Sequence, residues 1–553
     1  MDYRLSPVME AGALTGLAVE VRLRGDADGS TELELPDRWA AATDLWKGVR
    51  DLRVEGAGAV EEPGPALRVV RARPNAPLVV RYRVSGGAGD LNIDDPSEVQ
   101  PFKVHLTRDW VYASGEAVFV HPKGGEDRPA RFTWTGAPAG WTFASDLEHL
   151  TGADGRRGAR PGVVGDVEES VILAGRDVTV FTLTRSGEPP VRVAARGRYA
   201  FGAEAFAALL GATLTEERAF WRDEGTPFLV TLGPVRTSAA GVSLGGTGRT
   251  DGFMLALSSG AAIEQLRALL EHEYFHTWNS RQLGGLENGE REPLGYWFSE
   301  GFTDFYTWRL LVRSGRSTPA EWAAAWNEML LAYATSPRRT EGDVQALKTF
   351  WTDPTSEKLP YQRGAMLAAI WDARLRAASG GRTSLDDVMH AQRVAARRVR
   401  PVSAALLFPD VAARMGLDVR PDLARHVDGG EAITLPADVF GPCATVETET
   451  RPVFQRGWAV SDPDRRFKDV VEGSAAWRAG LRNGMTFVAR EAGRPGDSTQ
   501  DYMLRVKEGE AEHTIRYRPA GVGSVPVQQV RLAPGADAAS CARSLSGLPA
   551  LGT

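Results

Sequence analysis

The chain has 553 residues, 43% of them hydrophobic and 25% charged, with a formal net charge of −6. That length accommodates about three domains of ordinary size, and the acidic balance supplies no basic field for nucleic acid or an anionic membrane surface. No uninterrupted apolar run is long enough to span a bilayer, and Met1-Asp2-Tyr3-Arg4 lacks the basic and apolar segments of a signal peptide, so the sequence reads as soluble, with no membrane insertion.

From residue 1 to 190 the chain shows short runs of period two, such as Leu17-Ala-Val-Glu-Val-Arg-Leu, Leu67-Arg-Val-Val-Arg and Leu78-Val-Val-Arg-Tyr-Arg-Val. Alternation with β-branched residues predicts strands, and turn clusters such as Gly25-Asp-Ala-Asp-Gly punctuate them. An N-terminal antiparallel β-sandwich is expected.

Helical spacing takes over from 191 to 435. Ala203-Glu-Ala-Phe-Ala-Ala-Leu-Leu opens the change, and Ile263, Leu266, Leu269 and Leu270 form an apolar stripe leading to Tyr274 and Trp278. Thr318-Pro319-Ala320-Glu321 is a capping box with proline at the first helical position. Another helix is placed from near Tyr361 to the stop at Gly380-Gly381, and Ser384-Leu-Asp-Asp opens the next.

Strand signals return from 436 to 553, in Gly457-Trp-Ala-Val, Arg466-Phe-Lys-Asp-Val-Val and Val525-Pro-Val-Gln-Gln-Val-Arg-Leu. Between them, Glu472-Gly-Ser-Ala-Ala-Trp-Arg-Ala-Gly-Leu-Arg-Asn-Gly-Met resembles the strand, short helix and Gly-Met turn of bacterial PDZ domains, and the alternative is an unrelated small β domain. Cys443 and Cys541 flank this region, either as a disulfide closing a loop or as two thiols. A disulfide would imply an oxidising compartment, periplasmic or secreted; the alternative is cytoplasmic. The class expected for the whole chain is multidomain α+β.

His272-Glu273-Tyr274-Phe275-His276 carries the chemistry. On a helix its two histidines sit one turn apart on the same face, so both imidazoles can reach one ion. A catalytic zinc needs a third protein ligand and an open position for water. Glu300, in Trp297-Phe-Ser-Glu-Gly-Phe-Thr-Asp304, supplies the ligand after a glycine-rich connection. Asp304, one turn further, is placed to accept the free N–H of His272, against the reading of a solvated helix carboxylate.

Three motifs, H-E-Y-F-H-T-W-N, W-F-S-E-G-F-T-D-F-Y and the stretch from Tyr361 reading Y-Q-R-G-A-M-L-A-A-I-W-D, resemble the glycyl aminopeptidase family of gluzincin metallopeptidases. The order of β domain, mainly helical thermolysin-like catalytic domain and PDZ-like module is similar too. The resemblance implies one Zn2+ held by His272, His276 and Glu300, Glu273 as general base and acid, and Tyr361 stabilising the oxyanion. Family members carry a Gly-Gly-Leu/Met-Glu segment whose glutamate anchors the substrate amine. Here the stretch reads Gly245-Gly246-Thr247-Gly248-Arg249, so Gly248 stands in the glutamate slot. Gly246 remains as a substrate-binding position. Arg249 reads either as a partner for a substrate carboxylate or as a solvated edge-strand charge. Asp251, Glu287, Glu290 and Glu292 are candidate replacements for the missing glutamate.

The sequence therefore predicts a zinc peptidase acting on peptide substrates, most simply as an aminopeptidase. The alternatives are an endopeptidase or other exopeptidase mode, a catalytically idle binding protein whose PDZ-like module captures C-terminal peptides, and a purely structural zinc.

Overall fold

A computed structural model describes residues 1–39, 42–88, 91–92, 103–147, 156–157, 160–185, 187–236, 244–249, 251–279, 281–287, 289–398, 402–460 and 464–548. Met1–Thr277 and Trp278–Thr553 form two compact units.

In the first unit, alternation becomes sheet. Leu17, Val19, Val21 and Leu23 of the strand Ala13–Arg24 are buried, while Glu20 and Arg22 point outward and pair at 2.7 Å. This strand lies inside a five-stranded sheet in the order Arg131–Trp134, Asp2–Glu10, Ala13–Arg24, Pro77–Val84, Val49–Glu55. A four-stranded sheet orders His121–Pro122, Ser30–Glu34, Leu67–Arg71 and Ala59–Gly64; another five-stranded sheet orders Thr142–Ser145, Val171–Gly175, Trp110–Ser114, His105–Leu106 and Gly87–Ala88. Val19, Leu33, Val70, Phe132 and Ile172 show that the three sheets share one core. The pairing is not wholly antiparallel, as expected from the sequence: Arg131–Trp134 runs parallel to Asp2–Glu10, and Gly87–Ala88 parallel to His105–Leu106. Period-two patterning reports which face is buried and carries nothing about strand direction.

Trp110, Tyr112 and Leu173, on the opposite face of that last sheet, pack against Ala194, Leu229 and Met254. These belong to a six-stranded sheet ordered Val178–Leu183, Val191–Arg196, Phe228–Arg236, Gly252–Ser258, Leu244–Arg249, with Leu91–Asn92 pairing onto Phe228–Arg236. Leu244–Arg249 is an edge strand, antiparallel to its neighbour. The helix Ala203–Trp221 sets Phe220 and Trp221 against Phe275 of the helix Leu266–Phe275, with ring centroids 6.1 and 5.3 Å apart. Tyr274 meets Phe228 edge-on at 5.1 Å, and its hydroxyl accepts from Arg218 Nε at 2.9 Å. Arg218 is in turn paired with Glu188 at 2.6 Å. The helix bearing the histidine motif is thereby fixed on both sides.

The second unit is helical from Tyr296 to about 428. Thr318 caps Pro319–Thr335 as its sequence predicts, accepting from Glu321 N–H at 3.2 Å while Glu321 accepts from Thr318 N–H at 2.8 Å. Ser384 and Asp387 form the corresponding box for Leu385–Ala396. The helix expected from near Tyr361 begins two turns earlier and runs Pro354–Ser379. Asp353 caps it by accepting from Thr355 N–H at 2.9 Å, and Pro354 occupies the first turn. Pro360 lies inside this helix, where surrounding packing overrides the loss of one backbone donor.

Toward the C-terminus, Ala444–Phe454 and Ala520–Leu532 form a long antiparallel ribbon. Asn327 binds it to Pro319–Thr335, donating to Val530 O at 3.1 Å and accepting from Val530 N–H at 2.6 Å. A three-stranded sheet, Thr486–Ala492, Tyr502–Glu508 and Ala511–Tyr517, shares a small core with Phe467, Ala476 and Leu481. Cys443 and Cys541 are disulfide-bonded, with Cα atoms 5.3 Å apart and a sequence separation of 98. Among the described residues, no helix is long and apolar enough to cross a membrane.

Candidate metal centre

The motif helix Leu266–Phe275 ends at His276, whose backbone still has helical φ and ψ of −62° and −16°. His272 and His276 therefore share a face, with Nε2 atoms 3.1 Å apart and rings crossed at 80°. Two nitrogens bound to one tetrahedral zinc at about 2.0–2.1 Å stand about 3.3 Å apart, so this pair is spaced for a single ion. One donor atom from each of His272, His276 and Glu300 lies within 4.8 Å of the other two, and all three residues are half-buried. Two imidazoles and one carboxylate are a donor set suited to zinc that leaves a position for water.

Glu273 is 6% exposed and lies against the edge strand. A Cβ added at Gly246 would fall 2.6 Å from Glu273 Oε1 and 2.7 Å from its Cδ, so any larger residue there would have to displace this carboxylate. At Gly248 a Cβ would meet His276 Cβ at 3.1 Å. The glycine run thus lets Leu244–Arg249 approach the motif helix closely.

Glu300 stands between the helical turn Tyr296–Ser299 and the helix Gly301–Arg313, its N–H donating to Tyr296 O at 2.9 Å. Asn279 holds this junction: its amide donates to Phe298 O, Ser299 O and Thr303 Oγ1, each at 3.1 Å. A Cβ at Gly301 would fall 2.4 Å from Gly364 Cα, and one at Gly364 would fall 1.8 Å from Trp297 O. This glycine-to-glycine contact brings the helix of Tyr361 onto the backbone beside Glu300. Burial, and then the carboxylate of Glu300, Tyr296 and the carboxylates of Glu357 and Asp304, push the Tyr361 phenol well above its ordinary pKa. It is a protonated donor at neutral pH. Asp304 follows Glu300 by one turn, its N–H donating to Glu300 O at 2.8 Å. The helix is buried as its aromatic residues suggest: Phe302, Phe305 and Tyr306 all lie in the interior.

Both readings of Arg249 need correction. It is 4% exposed, so it is not a solvated charge. Its guanidinium pairs with Glu116, donates to Glu169 O at 2.9 Å and lies over Trp39 at 4.7 Å. It is committed to the fold rather than poised for a substrate carboxylate. Of the candidate amine partners, Asp251 accepts from Thr226 Oγ1 at 2.9 Å, Glu287 from Ser403 Oγ at 2.6 Å and Glu292 from Tyr296 Oη at 2.8 Å. Sequence reasoning missed Asn279, Gly301 and Gly364 as positioning residues. All three lie inside quoted motifs, in H-E-Y-F-H-T-W-N, W-F-S-E-G-F and Y-Q-R-G, where their presence was the available signal.

No curated protein matches the sequence at a significant level. Residues 265–358 match the sequence model described as M61 glycyl aminopeptidase, a span that includes the motif helix and Glu300 and stops short of Tyr361. The fold is similar to that of an aminopeptidase N family protein from Idiomarina loihiensis, with a TM-score of 0.67, 18% identity and 99% of each chain covered. It is also similar to the M1 zinc metallopeptidase from Deinococcus radiodurans, with a TM-score of 0.51 and 17% identity over 79% of this chain and 94% of that one. At such identities the likeness to both structures is one of fold, and the family match is confined to the stretch that carries the histidine motif and Glu300.

Proposed function

We propose that the chain is a zinc-dependent peptidase acting at a peptide bond next to a free amino terminus. The observation that carries this reading is the convergence of His272, His276 and Glu300 to within 4.8 Å, with the carboxylate of Glu273 beside the edge strand. His272, His276 and Glu300 would hold one zinc ion, which when bound would acidify a water and polarise the scissile carbonyl. Glu273, one residue from His272 and not itself a ligand, takes the water proton and returns it to the leaving amine. Tyr361, kept protonated by its surroundings, donates a hydrogen bond to the developing oxyanion. Asp304 accepts from His272 and fixes its tautomer. The edge strand Leu244–Arg249 receives the substrate backbone in extended form, with Gly246 keeping it close to the base. The region around Ala475–Arg478 and its three-stranded sheet serves as a PDZ-like module for peptide C-termini, and the Cys443–Cys541 bond fits a periplasmic or secreted protein.

The test is metal analysis together with hydrolysis of free and N-blocked peptides by the wild type and by Glu273→Gln. One zinc per catalytic trio, turnover of free peptides and a loss of roughly a hundredfold or more in Glu273→Gln are expected. Zinc without turnover overturns the enzyme reading. Blocked peptides cleaved as fast as free ones overturn the aminopeptidase mode and favour an endopeptidase.

A further inference from the structure

A second group of metal-ligating side chains lies in the N-terminal sheets, built on different elements from the catalytic trio. Ser30–Glu34 and His121–Pro122 are antiparallel neighbours, and His121 is the direct cross-strand partner of Glu34. Glu126 follows in a turn whose backbone is tied at two points, by Gly125 N–H to Pro122 O and by Gly165 N–H to Glu126 O, each at 2.9 Å. One donor atom from each of Glu34, His121 and Glu126 lies within 4.8 Å of the other two, the same spacing that unites His272, His276 and Glu300. Glu168, closing the short helix Val164–Glu168, accepts from His121 Nε2 at 2.8 Å.

The group carries an excess of negative charge. Three carboxylates face a single imidazole, and among the described residues no lysine or arginine forms an ion pair with Glu34, Glu126 or Glu168. Arg128 and Lys123, the nearest in sequence, turn instead to Asp26 at 2.7 Å and to Glu32 at 3.2 Å. His121 and Glu168 are mostly enclosed, with side chains 15% and 18% exposed, so their field is only partly screened by water. With Nε2 given to Glu168, the nitrogen that would meet an ion is Nδ1, which stands 3.3 Å from Pro122 O; a histidine orientated through its other nitrogen by a carboxylate is the arrangement that steadies imidazole ligands at metal sites. Imidazole with carboxylates selects a borderline divalent ion such as zinc, whereas magnesium and calcium prefer oxygen donors alone.

We infer that Glu34, His121 and Glu126 form a second, structural site for a divalent transition ion of the zinc type, with Glu168 orientating the imidazole. The ion joins the edge of the four-stranded sheet to the turn that follows His121. It does not depend on the catalytic reading, because no residue is shared.

The test is zinc stoichiometry by elemental analysis after chelator treatment and reloading of the full chain. It compares the wild type, Glu34→Gln/Glu126→Gln and His272→Ala, with circular dichroism as the check on folding. The two glutamates carry no fold-holding hydrogen bond through their side chains, so the double variant is expected to fold and to hydrolyse peptide as the wild type does. Two ions in the wild type and one in each variant is the expected result, with a zinc-dependent rise in melting temperature that shrinks in the double variant. A single ion in the wild type that disappears with Glu34→Gln/Glu126→Gln and survives His272→Ala also supports this site, and counts against the peptidase site instead. A single ion lost only with His272→Ala, or two ions retained by the double variant, overturns the inference.

Discussion

Gly246→Ala offers the most direct probe of the proposed base. The added methyl would stand 2.6 to 2.8 Å from the Oε1, Cδ and Cγ atoms of Glu273, where ordinary van der Waals contact begins about 0.8 Å further out. The edge strand is tied to Gly252–Ser258 through the register Gly246 to Leu255, so the glutamate side chain, rather than the strand, gives way. A displacement of close to 1 Å at a catalytic group costs roughly a hundredfold in rate. The zinc ligands are not touched. We therefore expect kcat to fall by about two orders of magnitude, with bound zinc unchanged and melting temperature little altered. The assay is steady-state hydrolysis of an unblocked peptide, with zinc content measured on the same preparation. Full activity in a zinc-loaded Gly246→Ala protein would refute the placement of Glu273 as base. Loss of zinc along with activity would show that the strand, not the carboxylate, had moved.

Tyr361→Phe removes only a hydroxyl from a half-buried ring; if that hydroxyl meets the oxyanion, kcat falls by a factor equivalent to about 3 kcal/mol while KM and zinc content hold, and a change in KM alone would argue for a binding role. Asp372→Asn tests the network that joins the helices. Burial alone would raise the Asp372 carboxyl, but Arg309 at 3.0 Å and Arg376 at 2.7 Å outweigh it and hold it at about 2, against an ordinary 3.8. A depressed carboxyl stabilises the fold above its unfolded pKa and loses that contribution as pH falls through the folded one. The shift corresponds to about 2.5 kcal/mol, so denaturant unfolding should show a gap of about that size between wild type and variant at pH 7 that closes toward pH 2. A gap independent of pH would show that packing, not the ion pairs, sets the cost.

What was legible in the sequence is what depends on near neighbours along the chain. The capping box at Thr318 and the helix start at Ser384 formed as read, because each needs only residues three apart. The spacing of His272 and His276 survives for the same reason: one helical turn relates them whatever surrounds the helix. Long-range features were not legible. Arg249 resembles any exposed arginine until Glu116, 133 residues earlier, is folded against it. Gly364 reads as a weak spot in a helix, and its reason is the backbone of Trp297 and Gly301 pressed against it. The helix of Tyr361 extends back past Pro360 to the cap at Asp353, which makes the tyrosine an interior helical residue rather than one at a start.

The glycine in the glutamate slot bears on substrate choice through geometry. A Cβ at Gly248 would already be tight against His276 Cβ at 3.1 Å, so a longer side chain there requires the strand and the motif helix to separate. Separation would move Gly246 from Glu273 and undo the close approach on which the proposed base depends. The strand therefore has no room for a long side chain at this position, and on the proposed aminopeptidase reading a substrate amine is left to carboxylates outside it. Asp251 is 8% exposed and held by Thr226, which commits it to the loop. Glu287 is engaged by Ser403, the cap of the helix Ala404–Arg414. Glu292 is held by Tyr296, the residue one helical turn before Glu300, whose carbonyl accepts from the Glu300 N–H. Glu292→Gln should accordingly raise KM for free peptides and leave that for blocked peptides unchanged, and an equal effect on both would remove Glu292 from amine recognition.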